Sequence, residues 1–166
     1  MSAEFDAIFT ANKAYADAYK SSELTGRAAQ GLAIVTCMDS RINPLSVVGM
    51  RSGDAKILRN AGARVTEDVL RTLVLASYLL NVDRVLVMPH TDCRMAKSDE
   101  PEIHATLQEQ FGVDTRSLEF RTVSDQISAL KTDVQRIRSY PLIKKGISVA
   151  GAIYDVSNGS ITPIDC

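Results

Sequence analysis

The chain has 166 residues, of which 45% are hydrophobic, and its net charge is −1. This length permits one domain with a substantial core, so we expect a single domain over residues 1–166 in which residues 1–20 form an N-terminal helical arm. The balanced charge gives no indication of nucleic-acid binding, and the lack of a signal-peptide pattern and of a long apolar run predicts a cytoplasmic protein without membrane contact.

The first half of the chain is predicted to alternate between helices and short strands. Residues 2–20 should form a helix capped by Ser2, because large apolar side chains recur there at helical spacing. These side chains are Phe5, Ile8, Phe9, Tyr15 and Tyr19. A polar linker follows at 21–30. Strands are predicted at 32–36, 56–60 and 84–88, a short helix at 44–50, and a longer helix at 67–80 between Thr66 and Asn81.

The second half continues the alternation and ends in a hairpin. Helices are predicted at 101–110 and 124–139, separated by an irregular segment at 112–122. A strand at 147–156, an Asn158-Gly159 turn and a short edge strand at 160–164 complete the chain. Apolar runs of this kind are typical of strands buried on both faces. The pattern therefore predicts an α/β fold with a mainly parallel central sheet flanked by helices and an antiparallel C-terminal edge hairpin.

Two predicted strands end at side chains that can bind metal. Cys37 follows the first strand, and His90 and Cys93 follow the third. A lone Cys at such a position is more often a core residue. However, ligands of open parallel sheets bind at the carboxyl ends of the strands, where these three side chains would converge. Two thiolates and an imidazole suit zinc, and three protein ligands leave a fourth position open for catalysis.

Asp39 and Arg41 follow Cys37 at intervals of two residues. In an extended segment Asp39 would point to the same side as Cys37, either as a fourth ligand or as a group just outside the ligand set. The Arg41 fork could hold that carboxylate by two parallel hydrogen bonds, although an ordinary surface ion pair is the alternative. Of the remaining candidates, Cys166 is expected to be a solvated tail thiol and His104 a solvated side chain on a polar helix.

Three motifs together resemble the β-class carbonic anhydrases, especially the short members. They are Cys-X-Asp-X-Arg at 37–41, Arg-Asn-Ala-Gly at 59–62 and His-Thr-Asp-Cys at 90–93. The resemblance implies a zinc ion bound by Cys37, His90 and Cys93. It also implies a catalytic dyad of Asp39 and Arg41, in which Asp39 becomes the fourth ligand only in a closed resting state. Asn60, Ala61 and Gly62 would line the substrate cleft.

The implied activity is the reversible hydration of carbon dioxide to bicarbonate and a proton. Hydrolysis of carbonyl sulfide or carbon disulfide at the same zinc, or a non-catalytic zinc protein, are the alternatives. The apolar stripe on the arm and the family resemblance both predict a homodimer or tetramer. One departure concerns Arg94, because the family usually has Gly there. If that position needs a positive φ, Arg would strain the turn.

Overall fold

A five-stranded sheet in the order β2-β1-β3-β4-β5 forms the centre of the fold. The computed structural model describes residues 3–19 and 24–166. The strands are β1 (Leu32–Cys37), β2 (Ala55–Asn60), β3 (Arg84–Met88), β4 (Ser148–Tyr154) and β5 (Ile161–Ile164). The first four strands pair in parallel, and β5 pairs with β4 in the antiparallel direction. The predicted fold class is therefore confirmed.

The strand order places β1 between β2 and β3, so the chain runs from β1 to β2 on one side and then crosses β1 to reach β3 on the other. In this order the carboxyl ends of β1 and β3 form the topological switch point, where ligands bind in open α/β sheets. The register sets Cys37 beside Asn60 of β2 and Thr36 beside Met88 of β3. The sheet thus brings the Cys37 loop, the Asn60 turn and the His90 loop together at the carboxyl ends of its parallel strands.

The described residues form five α-helices. They are α1 (Asp6–Ala18), α2 (Pro44–Val47), α3 (Glu67–Leu79), α4 (Glu100–Phe111) and α5 (Gln126–Arg138). Of these, α1 precedes the sheet, and α3 and α5 pack against it. Thr66 caps α3 as predicted, since its side chain accepts a hydrogen bond from the Val69 N–H. Asn81 follows α3 in the left-handed conformation, with φ 64°, as its predicted role at the helix end requires.

Two apolar clusters lie on opposite faces of the sheet, because successive strand residues point to opposite sides. On one face, Ala33 and Val35 of β1 contact buried side chains of α3 and α5, among them Leu70, Leu73, Leu130, Val134 and Ile137. On the other face, Ile34 and Met88 join a cluster that also contains Cys37 and Cys93. Both candidate metal-binding thiols therefore lie in the core.

The C-terminal segment differs from prediction in two respects. The hairpin between β4 and β5 uses a six-residue connection, 155–160, instead of a tight Asn158-Gly159 turn, because Tyr154 and Ile161 form the last pair in register. The Asp155 side chain accepts hydrogen bonds from the backbone and hydroxyl of Ser157, which organises this longer loop. Cys166 is also not a solvated tail thiol, since it packs against the α5 cluster. Gly151 makes this possible, because a Cβ there would lie 2.7 Å from the Cys166 sulfur.

His104 is half-buried, which contradicts its predicted solvation. Its Nδ1 lies 2.8 Å from the Thr115 hydroxyl, and its ring lies 5.2 Å from that of Phe120, centroid to centroid. The segment 112–122, irregular as predicted, folds back over α4 and covers this imidazole. These contacts give His104 a structural environment away from the strand ends.

The N-terminal arm contains the predicted helix, but α1 has no buried residue. The apolar side chains of the arm are exposed, and the exposed fractions of Phe5, Ile8 and Tyr15 are 52%, 60% and 65%. The predicted cap Ser2 and part of the predicted linker at 21–30 fall outside the described residues. No helix in the described part of the chain is long and apolar enough to cross a membrane.

Candidate metal centre

Cys37, His90 and Cys93 meet at the switch point. Their candidate ligand atoms all lie within 4.8 Å of one another, and all three residues are buried. Cys37 is the last residue of β1, while a single β-bridge from His90 to Tyr154 anchors the loop after β3 against β4. The Sγ atoms of Cys37 and Cys93 are 4.0 Å apart. The structure therefore brings together the three side chains that the sequence pointed to.

The donor set fits a tetrahedral metal ion that prefers sulfur and nitrogen. Zinc–sulfur bonds of about 2.3 Å place two sulfurs of a tetrahedron about 3.8 Å apart, close to the distance found here. The His90 Nδ1 lies 2.7 Å from the Thr91 carbonyl oxygen, so that a proton on Nδ1 can be donated there. The Nε2 atom is buried and makes no hydrogen bond to any residue that the structure describes. An orphaned nitrogen facing two sulfurs is the arrangement that a metal would satisfy.

The two thiols share a proton when no metal is bound. Hydrogen bonding between the two thiols, with smaller contributions from His90 and the Gly62 N–H, lowers the pKa of Cys37. The same hydrogen bond, together with burial, raises the pKa of Cys93. The Cys37 sulfur raises the pKa of the His90 imidazole. The pair thus favours one thiolate before metal arrives, as metal binding requires, and the Gly62 N–H that points at the Cys37 sulfur favours the charge there.

The Asp39 carboxylate is bound by Arg41 beside this site. Arg41 donates from its backbone N–H and its Nε to Oδ1, at 2.9 and 3.0 Å, and from Nη2 to Oδ2 at 2.7 Å. These bonds hold the pKa of Asp39 well below its usual range. Oδ2 also lies 3.8 Å from the Nε2 of His90. The Asp39 carboxylate is therefore ionised at neutral pH and lies beside the candidate metal position.

Arg59 holds the loop that carries Asp39, a role that the sequence motif did not reveal. Its Nε donates to the Cys37 carbonyl at 2.9 Å and its Nη2 to the Asp39 carbonyl at 2.6 Å. Its Nη1 donates to the Ile42 carbonyl at 3.2 Å. The parallel register of β1 and β2 sets this side chain beside the loop. The only available signal was the Arg that opens the motif at 59–62, which by itself specifies no partner.

The Asn60-Ala61-Gly62 turn lies next to the Cys37 sulfur. The Asn60 amide closes the turn, since it donates to the Arg64 carbonyl at 2.7 Å and accepts from the Arg64 N–H at 2.8 Å. Gly62 has φ 78°, and a Cβ there would lie 3.1 Å from Met95. Its N–H points at the Cys37 sulfur, 3.4 Å away. Glycine is required here both by the left-handed backbone and by this close approach.

Arg94 does not occupy a strained position. It begins a single 3₁₀ turn, Arg94–Ala96, and its side chain is exposed. The left-handed residue in this loop is Asp92, with φ 57°. The condition under which Arg94 would strain the loop is therefore not met.

Comparisons with known proteins agree with this geometry. The carbonic anhydrase family model matches residues 32–161. The "Beta-carbonic anhydrase 1" of Mycobacterium tuberculosis is 31% identical over 134 residues, which cover 80% of this chain and 81% of the relative. A carbon disulfide hydrolase of Acidithiobacillus thiooxidans is 26% identical over 150 residues, covering 78% of this chain and 75% of its own.

Among solved structures, a carbonic anhydrase from Streptococcus mutans superposes with a TM-score of 0.91 at 36% identity. The match covers 99% of each chain. The family model spans most of the sheet and all three motifs. The chain belongs to the β-carbonic anhydrase family.

Proposed function

We propose that this protein is a zinc enzyme that catalyses the reversible hydration of carbon dioxide, with Cys37, His90 and Cys93 holding the metal. The observation that carries the proposal is the buried Nε2 of His90, which makes no hydrogen bond within the described residues and faces the two sulfurs, with the Asp39 carboxylate alongside. A zinc ion bound there would supply hydroxide at neutral pH, because zinc lowers the pKa of water to about 7.

Asp39 and Arg41 divide two tasks in this proposal. Arg41 keeps Asp39 ionised, so that the carboxylate can only accept hydrogen bonds. Asp39 would then accept a hydrogen bond from the attacking hydroxide, which would orient a lone pair of the hydroxide oxygen toward the carbon of the substrate. The Asp39 Oδ2 lies 3.8 Å from the imidazole nitrogen, and Arg41 also keeps this carboxylate from moving onto the metal position, where it would close the site. Backbone at Asn60, Ala61 and Gly62 lines the cleft on the β2 side.

Carbonyl sulfide or carbon disulfide is the second candidate substrate. Both are small linear molecules that hydroxide attacks at carbon, and a relative of this chain is named a carbon disulfide hydrolase. The residues that carry the chemistry would be unchanged, since these substrates offer few groups for side chains to recognise. A non-catalytic zinc protein would instead require Asp39 to stay locked on the metal.

Stopped-flow measurement on zinc-loaded protein between about pH 6.5 and 9 tests the proposal. We expect carbon dioxide hydration that increases with pH, and no comparable turnover of carbonyl sulfide. The Asp39→Asn variant should retain zinc and lose turnover, whereas Asp114→Asn should retain both, because Asp114 pairs with Arg116 away from the site. Zinc binding without hydration at any pH would refute the catalytic assignment.

We also propose a homodimer or tetramer in which α1 packs on a second copy of the chain. The support is that α1 buries none of its apolar stripe on its own sheet.

The proposed site also needs both of its thiols reduced, because a Cys37–Cys93 disulfide would remove two of its three ligands. A reducing compartment such as the cytoplasm meets that need.

A further inference from the structure

The guanidinium of Arg41 joins two loops that carry metal-binding residues. One edge of it binds Asp39, two residues after Cys37. The other edge binds Asp92, which lies between His90 and Cys93. Nη1 donates to the Asp92 Oδ2 at 2.8 Å, and Nη2 donates to the Asp92 carbonyl oxygen at 3.2 Å. Every nitrogen of the guanidinium thus has an acceptor.

A second Asp-X-Arg segment in the same chain shows which of these contacts are local. Asp114 and Arg116 form the same pair, with Nε to Oδ1 at 2.9 Å and Nη2 to Oδ2 at 2.6 Å. The described residues place no second carboxylate within ion-pair distance of Arg116, whose side chain is 82% exposed against 45% for Arg41. The pairing of Asp with Arg two residues later is therefore a property of the segment, and Asp92 is what the fold adds at Arg41.

Asp92 is itself held in place from two sides. Its backbone adopts the left-handed conformation, with φ 57°, in the short loop between two buried residues. Its other carboxylate oxygen forms an ion pair with Lys97. The acceptor that Asp92 presents to Arg41 consequently has a fixed position relative to His90 and Cys93.

We infer that Asp92 is a positioning residue, which aligns the Arg41 fork on Asp39 and so keeps the Asp39 carboxylate off the metal. An exposed Arg side chain bound at one edge can swing as a unit with its partner carboxylate. A second anchor on another strand end removes that freedom, because the two loops are joined through the sheet. Without Asp92, Asp39 would need to move only a short distance to reach the metal position beside His90 Nε2. The catalytic consequence rests on the function proposed above.

Two substitutions at Asp92 distinguish loss of its hydrogen-bond acceptor from loss of its negative charge. Asp92→Gly removes the side chain and tolerates the left-handed backbone, while Asp92→Asn keeps an acceptor oxygen and also tolerates it. We expect Asp92→Gly to retain zinc and to lose roughly ten- to a hundredfold in kcat, as small displacements of catalytic groups do. Asp92→Asn should restore most of that loss. Asp114→Gly is the matched control, and it should retain both zinc and turnover.

Two readouts do not depend on activity. Hydrogen exchange of the Arg41 Nε–H, followed by NMR, should be faster in Asp92→Gly than in the parent protein, with or without metal. The visible spectrum of the cobalt(II)-substituted variant should show the added carboxylate ligand. If the parent protein proves inactive, the proposed function fails, and these two measurements alone decide the role of Asp92.

Three results would overturn the inference. They are unchanged turnover and exchange in Asp92→Gly, equal loss in Asp92→Asn and Asp92→Gly, and loss of zinc in parallel with turnover.

Discussion

The Oδ2 atom of Asp39 lies 3.8 Å from the Nε2 of His90, while both oxygens of that carboxylate accept hydrogen bonds from Arg41. The carboxylate is close enough to the candidate metal position to compete for it, yet it is bound elsewhere. We therefore expect the site to be open when Arg41 holds Asp39 and closed when a bound metal holds it.

Replacement of Arg41 should release Asp39 without removing a metal ligand. In Arg41→Ala we expect turnover to fall by roughly a hundredfold, with little loss of zinc, because the acceptors of the Arg41 side chain among the described residues are Asp39 and Asp92, which are not candidate ligands in the open site. Zinc content by elemental analysis and stopped-flow hydration measure the two effects. Arg116→Ala, which breaks the equivalent exposed pair, is the control. Equal loss of zinc and turnover in Arg41→Ala would mean that Arg41 only maintains the fold.

Removal of one sulfur ligand should abolish zinc binding. The parent protein should contain one zinc per chain, and Cys37→Ala should lose most of it, because two protein ligands remain. Cys166→Ser is the matched control, since Cys166 lies apart from the site in the cluster against α5. Elemental analysis after dialysis gives the stoichiometry. Full zinc retention in Cys37→Ala would refute the ligand assignment.

Zinc affinity should increase with pH. Near pH 6 we expect the metal-free site to carry two protons, one on His90, whose pKa is raised, and one on the thiol pair, because the pKa of Cys37 is lowered and that of Cys93 is raised. Zinc must displace those two protons, so the apparent affinity should fall about tenfold per proton for each unit that the pH decreases.

Calorimetric titration in buffers of different ionisation enthalpy counts the released protons. Two protons per zinc at pH 6 is the expected result. Release of three would show that Cys37 is protonated in the metal-free protein, contrary to the prediction.

Arg94→Gly should leave hydration activity unchanged or increase it. Arg94 is exposed, and it lies in a 3₁₀ turn whose backbone either residue can adopt. The substitution removes one positive charge near the mouth of the site. Arg94→Ala, tested beside it, separates loss of the side chain from added backbone freedom. A collapse of kcat/KM in both variants would identify Arg94 as a residue that acts on the substrate.

Deletion of residues 1–20 should disrupt assembly. The apolar stripe of α1 is exposed within one chain, including Ile8 and Phe9 at 60% and 45%. An obligate dimer would bury it within an interface of more than about 2,000 Å². Light scattering should report a dimer or tetramer for the parent and a smaller or aggregated species for the truncated chain. Ile8→Ser with Phe9→Ser should act similarly, whereas Phe111→Ser, at an exposed site on α4, should not. A fully active monomer, before or after deletion, would rule out this assembly.

Sequence patterns specified the secondary structure where the causes are local. The buried run at 84–88 coincides with β3. Thr66 and Asn81 lie at the two ends of α3, as predicted. Where the sequence-based expectations failed, the deciding contact came from a distant residue. Cys166 is covered because Gly151 has no side chain, and His104 is covered because Phe120 folds back on it. Neither contact leaves a trace in local spacing.

The same division holds at the site. The sequence alone determined that Cys37, His90 and Cys93 would follow strands, because short apolar runs predict strands and ligands lie at their carboxyl ends. It also placed Asp39 and Arg41 at a spacing that forms a local pair, as Asp114 and Arg116 repeat.

Only the tertiary structure decided the strand order, which brings the sulfur atoms of Cys37 and Cys93 to 4.0 Å from each other. It also decided the Arg59 contacts with the Asp39 loop and the hydrogen bonds of Arg41 to Asp92. Each of these contacts joins segments at least 20 residues apart. Their partners are set by how the strands pair across the sheet, which no local pattern encodes.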